Sequence, residues 1–244
     1  MIPKVIHYCW FGGKPLPKLA EKCIESWKKY LPDYEIKRWD ESNFDINIIP
    51  YTSQAYALKK YAFVSDYARF WILNNYGGLY FDTDVELIKP IDDIIKNGPF
   101  MGCETSPEAS SYLAVVAPGL GLGLVPGMDI ISRIMSFYES LTFELPDGKS
   151  KPETVVTITT KILKDRGLKN CNDIQEVDGI IIYPSDYFCP ISIIDGKLRI
   201  TPNTRSIHWY DQSWQSPIRK YGRRLILKLG GARLKTALKK LFFK

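Results

Sequence analysis

Asp82 and Asp84 stand at alternate positions in YGGLYFDTDVEL, after two glycines and a short apolar and aromatic run. Asp disfavours strand interiors, so both carboxylates are expected at or just past the C-terminal end of a short strand, 79–81. In open α/β sheets that edge is where ligands bind. Residues i and i+2 of an extended segment share a face, and two carboxylates side by side repel unless a cation or donors lie between them. Hard oxygen ligands with no soft partner nearby suit Mg2+ or Mn2+, with phosphate oxygens completing the shell. With 16 Asp in 244 residues, about one Asp-x-Asp is expected by chance. Taken alone, the tripeptide reads as an acidic turn after a strand.

Its context says more. The preceding segment, KKYAFVSDYARFWILNNYGG, carries Asp66 and Arg69 inside an otherwise apolar and aromatic stretch. Three residues apart on a helix, they can pair on one face. An exposed pair of this kind would contribute only about 0.3–0.5 kcal/mol. Charges in apolar surroundings need a partner or a purpose, however. A helix, a Gly-Gly turn and a short strand would bring the pair back beside Asp82 and Asp84.

The elements that must position these residues follow from periodicity. KVIHYCW ends at Gly12-Gly13 and reads as a first buried strand. Leu19, Ala20, Cys23, Ile24 and Trp27 have helical spacing, and YEIKRW alternates like a second strand. This β-α-β opening is typical of α/β folds with parallel sheets. The longest helix is expected over 56–76, ending at Gly77-Gly78. Fainter signals suggest strands at 112–117, 180–183 and 205–210, and helices at 128–141 and 154–164. No repeat or internal linker is visible, so residues 1–217 are expected to form one domain.

Composition sets the outer bounds. Nothing in the first residues reads as a signal peptide, and no run of 18 apolar residues exists to span a membrane. Five cysteines with no CxxC fit a reducing cytosol and speak against a disulfide framework or zinc site. The net charge of +6 is concentrated in residues 218–244, which hold ten Lys or Arg and no Asp or Glu. Leu234, Ala237, Leu238, Leu241 and Phe242 form an apolar helical stripe among those cations. A basic amphipathic helix of this kind suits an anionic membrane surface. The expected location is cytoplasmic, peripheral on the inner face of the membrane.

The block SDYARFWILNNYGGLYFDTDVE resembles the signature of family 32 glycosyltransferases. That family includes capsular polysaccharide enzymes and fungal mannosyltransferases, and glucosylating toxins share a similar block. The resemblance implies a GT-A fold, a Rossmann-like, mostly parallel sheet with flanking helices that binds a nucleotide-sugar at its C-terminal edge. It implies that Asp84 ligates Mn2+ or Mg2+, and that Asp82 contacts ribose or sugar hydroxyls and reaches the metal. It also implies that Asp66 and Arg69 hold the donor sugar. Trp10, in IHYCWFGG, would stack on the base; a core aromatic is the alternative. Near the far end, His208 would complete the metal shell, while Ser213 and Trp214 would meet the diphosphate. A neutral imidazole can ligate Mn2+ and an indole N–H can donate to phosphate. His208 is followed by Trp209, where many relatives carry a second histidine.

The function so implied is metal-dependent hexosyl transfer with retention. The donor would be UDP-galactose, UDP-glucose or GDP-mannose, and the acceptor a glycan, lipid-linked where the product is capsular or surface polysaccharide. Two other readings compete. A haloacid-dehalogenase-like phosphatase also sets Asp-x-Asp after a hydrophobic strand, although usually early in the chain. A nucleic-acid-binding module could use the basic tail, but the body is acidic, with 23 basic against 27 acidic residues once the tail's ten are removed.

Overall fold

The computed structural model describes residues 1–105, 114–143, 153–192 and 196–211. In chain order the first elements are β1 (Val5–Cys9), α1 (Lys18–Tyr30), β2 (Glu35–Trp39), α2 (Pro50–Ala57), α3 (Tyr61–Tyr76), β3 (Gly78–Tyr80) and β4 (Val85–Leu87). Next come α4 (Asp92–Lys96), β5 (Phe100–Thr105), β6 (Val115–Val116), β7 (Leu122–Leu124), α5 (Asp129–Glu139) and α6 (Val155–Asp165). The last are β8 (Gln175–Val177), β9 (Ile180–Tyr183), α7 (Ser185–Phe188) and β10 (Ser206–His208).

The main sheet has the order β2-β1-β3-β7-β5-β9-β8, with β6 attached to β5. β1 pairs in parallel with both β2 and β3, and β5 with β9. β7 runs antiparallel between β3 and β5, so β1, β2, β3, β5 and β9 all point the same way. Alternate residues of β3 and its continuation serve opposite faces. Tyr80 packs with α2, α3, α5 and α6, whereas Leu79 and Phe81 pack with α1, α4 and α7. Helices thus cover both faces of a mostly parallel sheet, as the sequence implies.

Two details of the sequence reading change. The expected 56–76 helix is two helices. Its apolar pattern runs on through Leu58, but that residue is exposed and Lys59 is left-handed at φ 57°, so the chain reverses between α2 and α3. The acidic pair also does not lie on one extended segment. The Val85 N–H bonds to the Asp82 carbonyl at 3.0 Å, closing a turn that carries the chain from the main sheet into β4. β4 pairs antiparallel with β10, which places His208 opposite Val85.

The Gly-Gly pair has a steric reason. Gly77 and Gly78 have φ of 63° and 103°, and a Cβ on Gly78 would meet the Val5 carbonyl at 2.7 Å. Only glycine lets the chain leave α3 and enter the sheet at once beside β1. The Gly77 carbonyl then accepts from His7 Nε2 at 3.0 Å, while His7 Nδ1 accepts from Trp39 Nε1 at 3.0 Å. Those two partners fix a neutral tautomer for this buried ring.

Candidate functional site

α3 carries Asp66 and Arg69 on its buried side, at 8% and 3% exposure. Arg69 Nη2 lies 3.3 Å from Asp66 Oδ1 and 3.2 Å from Asp82 Oδ1, so one guanidinium serves two carboxylates from different elements. Its Nε donates to the Ser65 carbonyl at 3.1 Å, its guanidinium lies over the Tyr80 ring, and Nη1 is buried without a hydrogen-bond partner among the described residues. The pairing of Asp66 with Arg69 is therefore a fixed buried cluster and not a solvated helical ion pair.

The backbone N–H of Val155, the first residue of α6, acts on the Asp66 carboxyl as well. Burial pushes its carboxyl up, and the neighbouring Asp82 adds to that. Arg69 and the Val155 N–H pull it back, leaving it raised to about 7. Arg69 remains protonated: burial opposes its charge, but Asp82, Tyr80 and Asp66 outweigh that.

Asp82 follows β3 directly. Its N–H donates to the Gly119 carbonyl at 3.0 Å, and Oδ1 accepts from the Tyr80 hydroxyl at 3.3 Å. Gly119 packs so tightly that a Cβ there would collide with Asp82 Oδ2 and reach Arg69 Nη1 at 3.1 Å. Nothing in the local pattern of PGLGLG marks Gly119 for this role. Its position depends wholly on β7 joining β3.

Asp84 meets the chain's other end. His208 Nε2 lies 3.1 Å from Asp84 Oδ1, the Asp211 N–H donates to Oδ2 at 2.8 Å, and the Trp209 N–H donates to the Asp84 carbonyl at 3.0 Å. Burial favours the neutral carboxyl, but His208 and the Asp211 N–H overcome it, so Asp84 lies below the usual carboxylate range. For His208, burial opposes the charged ring, yet Asp84 outweighs it and the pKa rises.

Asp82, Asp84 and His208 each offer one ligand atom, all within 4.8 Å of one another. Two carboxylate oxygens and an imidazole are together a donor set for a divalent cation. Among the described residues His208 Nδ1 is buried without a hydrogen-bond partner, so the ring's hydrogen bond is the one to Asp84. The donor set therefore fits a small divalent cation, which would compete with the imidazole proton.

Glu86, the third acid of the motif, is not part of this set. It accepts from Trp209 Nε1 at 2.8 Å and from Lys22 Nζ at 2.7 Å, tying β10's exit to β4 and α1. Trp10 is half-buried at the end of β1, its indole N–H donating to the Lys14 carbonyl at 2.6 Å. It is not among the residues gathered around Asp82 and Asp84. Ser213, Trp214 and the basic segment 218–244 lie outside the described residues.

A two-face-covered, mostly parallel sheet that turns on an Asp-x-Asp at its C-terminal edge is the arrangement of the GT-A glycosyltransferases. Sequence similarity narrows the class. Residues 17–101 match the family described as glycosyltransferase sugar-binding region containing DXD motif. An uncharacterized glycosyltransferase of Acanthamoeba polyphaga mimivirus is 33% identical over 210 residues, 80% of each chain. The chain belongs to this glycosyltransferase family. Inositol phosphoceramide mannosyltransferase 1 of Schizosaccharomyces pombe is 27% identical over 117 residues, 43% of this chain, which spans only 35% of that protein's length. Among solved structures, the glycosyltransferase PaToxG aligns over 67% of this chain and 69% of its own, with TM-score 0.49 and 20% identity.

Proposed function

We propose that this glycosyltransferase moves a hexose from a nucleoside diphosphate sugar to a glycan acceptor, with retention and with a divalent cation. The observation that carries this is the convergence of Asp82, Asp84 and His208 within 4.8 Å beside the Arg69 guanidinium. Asp84 and His208, with Asp82, hold the cation; when bound it supplies Lewis-acid charge to the leaving diphosphate. Asp66 and Arg69 hold sugar hydroxyls, and Asp82 is shared between the two halves of the site. In the transfer, the bond from C1 to the diphosphate oxygen breaks and the acceptor oxygen bonds to C1 from the same face. The acceptor's proton passes to the departing phosphate. Asp66 and Asp82 orient the donor and do not attack it.

Trp10 stacks on the base, and Ser213 and Trp214 meet the diphosphate. The mannosyltransferase name of a relative supports GDP-mannose beside UDP-galactose and UDP-glucose. A hydrolysis screen of these donors with and without Mn2+ tests the proposal. Turnover of none, or turnover indifferent to both the metal and Asp84→Ala, rejects it. Robust turnover of p-nitrophenyl phosphate would favour a phosphatase.

For the acceptor we propose a lipid-linked glycan, of the kind that builds capsular or surface polysaccharide, at the inner face of the membrane. Residues 218–244 would hold the enzyme there through their ten cations. Full-length protein should sediment with anionic vesicles at low salt, and protein ending at residue 217 should not. Equal sedimentation of the two removes the membrane role.

A further inference from the structure

β4 and β10 have three residues each and form a two-stranded sheet apart from the main one. A pair that short is marginal unless something else fastens it. α1 fastens the β4 side. Trp27 Nε1 donates to the Val85 carbonyl at 2.8 Å, and the Leu87 N–H donates to Ser26 Oγ at 2.9 Å. With β4 fixed in this way, the place of His208 depends on how firmly its own strand is held to β4.

The ladder outlasts β10 by one residue. His208 pairs with Val85, and the next contact is the 3.0 Å bond from the Trp209 N–H to the Asp84 carbonyl. Trp209 lies two residues beyond Ile207, the partner of Glu86, so its side chain stands on the face that Glu86 occupies. The indole Nε1 donates to Glu86 Oε2 at 2.8 Å, and Lys22 Nζ donates to the same oxygen at 2.7 Å. That ammonium is 5.4 Å from the Trp209 ring centroid. The Glu86 side chain is only 16% exposed, so its carboxylate meets both donors largely out of water, where charge-assisted bonds are strong. Directly after Trp209 the chain is left-handed, with Tyr210 at φ 51°. Such a turn persists only where the surrounding contacts hold it. Trp209 anchors its near side.

We propose that Glu86 is a positioning residue for the cation site: joined with Lys22 to Trp209, it pins residues 209–211 and so keeps His208 against Asp84. The inference rests on the reading of Asp82, Asp84 and His208 as the cation site. Glu86 itself stays off the ion. Without it, the buried indole N–H loses its acceptor and Lys22 loses its counter-charge. That loosens the two amides, of Trp209 and Asp211, that bond to Asp84. Glu86→Gln keeps an oxygen for the indole and removes the charge that Lys22 meets, which separates the hydrogen bond from the ion pair. Trp209→Phe does the converse: it keeps a ring beside Lys22 and removes the N–H.

Amide exchange in the ligand-free, full-length protein tests this without relying on turnover. In Glu86→Ala and Trp209→Phe, exchange at positions 209 and 211 should rise about 10-fold or more, while β1 and α5 amides stay protected. Glu86→Gln should remain within about threefold of the natural protein. The Mn2+ dissociation constant should rise about 10-fold in Glu86→Ala and little in Glu86→Gln. Unchanged exchange at positions 209 and 211 in Glu86→Ala overturns the proposal. So does acceleration shared equally by β1 and α5, because that is general loss of stability. Faster exchange in the arm with undiminished Mn2+ binding also overturns it, since the arm would then not set the site. If the natural protein itself binds no Mn2+, the cation reading fails separately, and the exchange pattern still decides whether Glu86 pins the arm.

Discussion

Arg69 Nη2 lies 3.2 Å from Asp82 Oδ1, joining the middle of α3 to the turn that follows β3. The same nitrogen stands 3.3 Å from Asp66, so a single positive charge separates two carboxylates in a buried cluster. The contact ties the acidic turn to α3, and the donor-holding role proposed for Asp66 and Arg69 depends on it.

Removing the guanidinium leaves the buried Asp66 and the partly exposed Asp82 without the cation they share. Arg69→Ala should cost roughly 3–5 kcal/mol in urea unfolding and abolish donor hydrolysis in the folded fraction. Arg69→Lys should not restore activity, because an ammonium lacks the planar fork that spans both partners. Normal specific activity in folded Arg69→Ala would reduce the cluster to a structural ion pair.

Gly119 supplies a separate check on geometry. Gly119→Ala places a methyl group where Asp82 Oδ2 now sits. A displaced carboxylate should lower donor hydrolysis about 100-fold while free-nucleotide binding and melting temperature change far less. An active Gly119→Ala enzyme would mean that the position of Asp82 is not critical.

Asp84→Ala should remove Mn2+ dependence together with roughly 100- to 1,000-fold of the rate, since the leaving diphosphate loses its counter-charge. Manganese binding followed by electron paramagnetic resonance gives the direct measure. Undiminished binding in Asp84→Ala would move the cation elsewhere.

His7 provides the pH signature of the fold. Burial lowers its pKa to about 4, with Lys37 pushing the same way against the bond to the Gly77 carbonyl. The unfolded ring, at about 6.5, takes up a proton before the folded one does. Stability from this residue is complete above about pH 6.5 and falls by roughly 3 kcal/mol as pH drops to 4. Urea titrations across that window should show a shallower slope for His7→Gln than for the natural protein. Parallel slopes would mean that the buried ring is not held neutral.

The β-α-β opening, the helix that ends at Gly77-Gly78 and the acidic turn were all legible in the sequence. Each is written locally: apolar residues recur at helical or strand spacing, and the glycines and aspartates mark the breaks. The pairing of Asp66 with Arg69 was legible too, because three residues along a helix fixes two side chains on one face. The break at Lys59 was not, since the apolar pattern runs on across an exposed Leu58. Strands β5 and β7 were missed because Gly102 and Gly123 interrupt their apolar runs, and their strand character comes from their neighbours in the sheet.

The site itself was decided by tertiary structure. His208 meets Asp84 across 124 residues only because β10 pairs with β4. Gly119 meets Asp82 only because β7 lies beside β3. Sequence spacing determines what one helix or turn presents on its own surface. Which surfaces then meet is set by the register of strands far apart in the chain, and no local period encodes it.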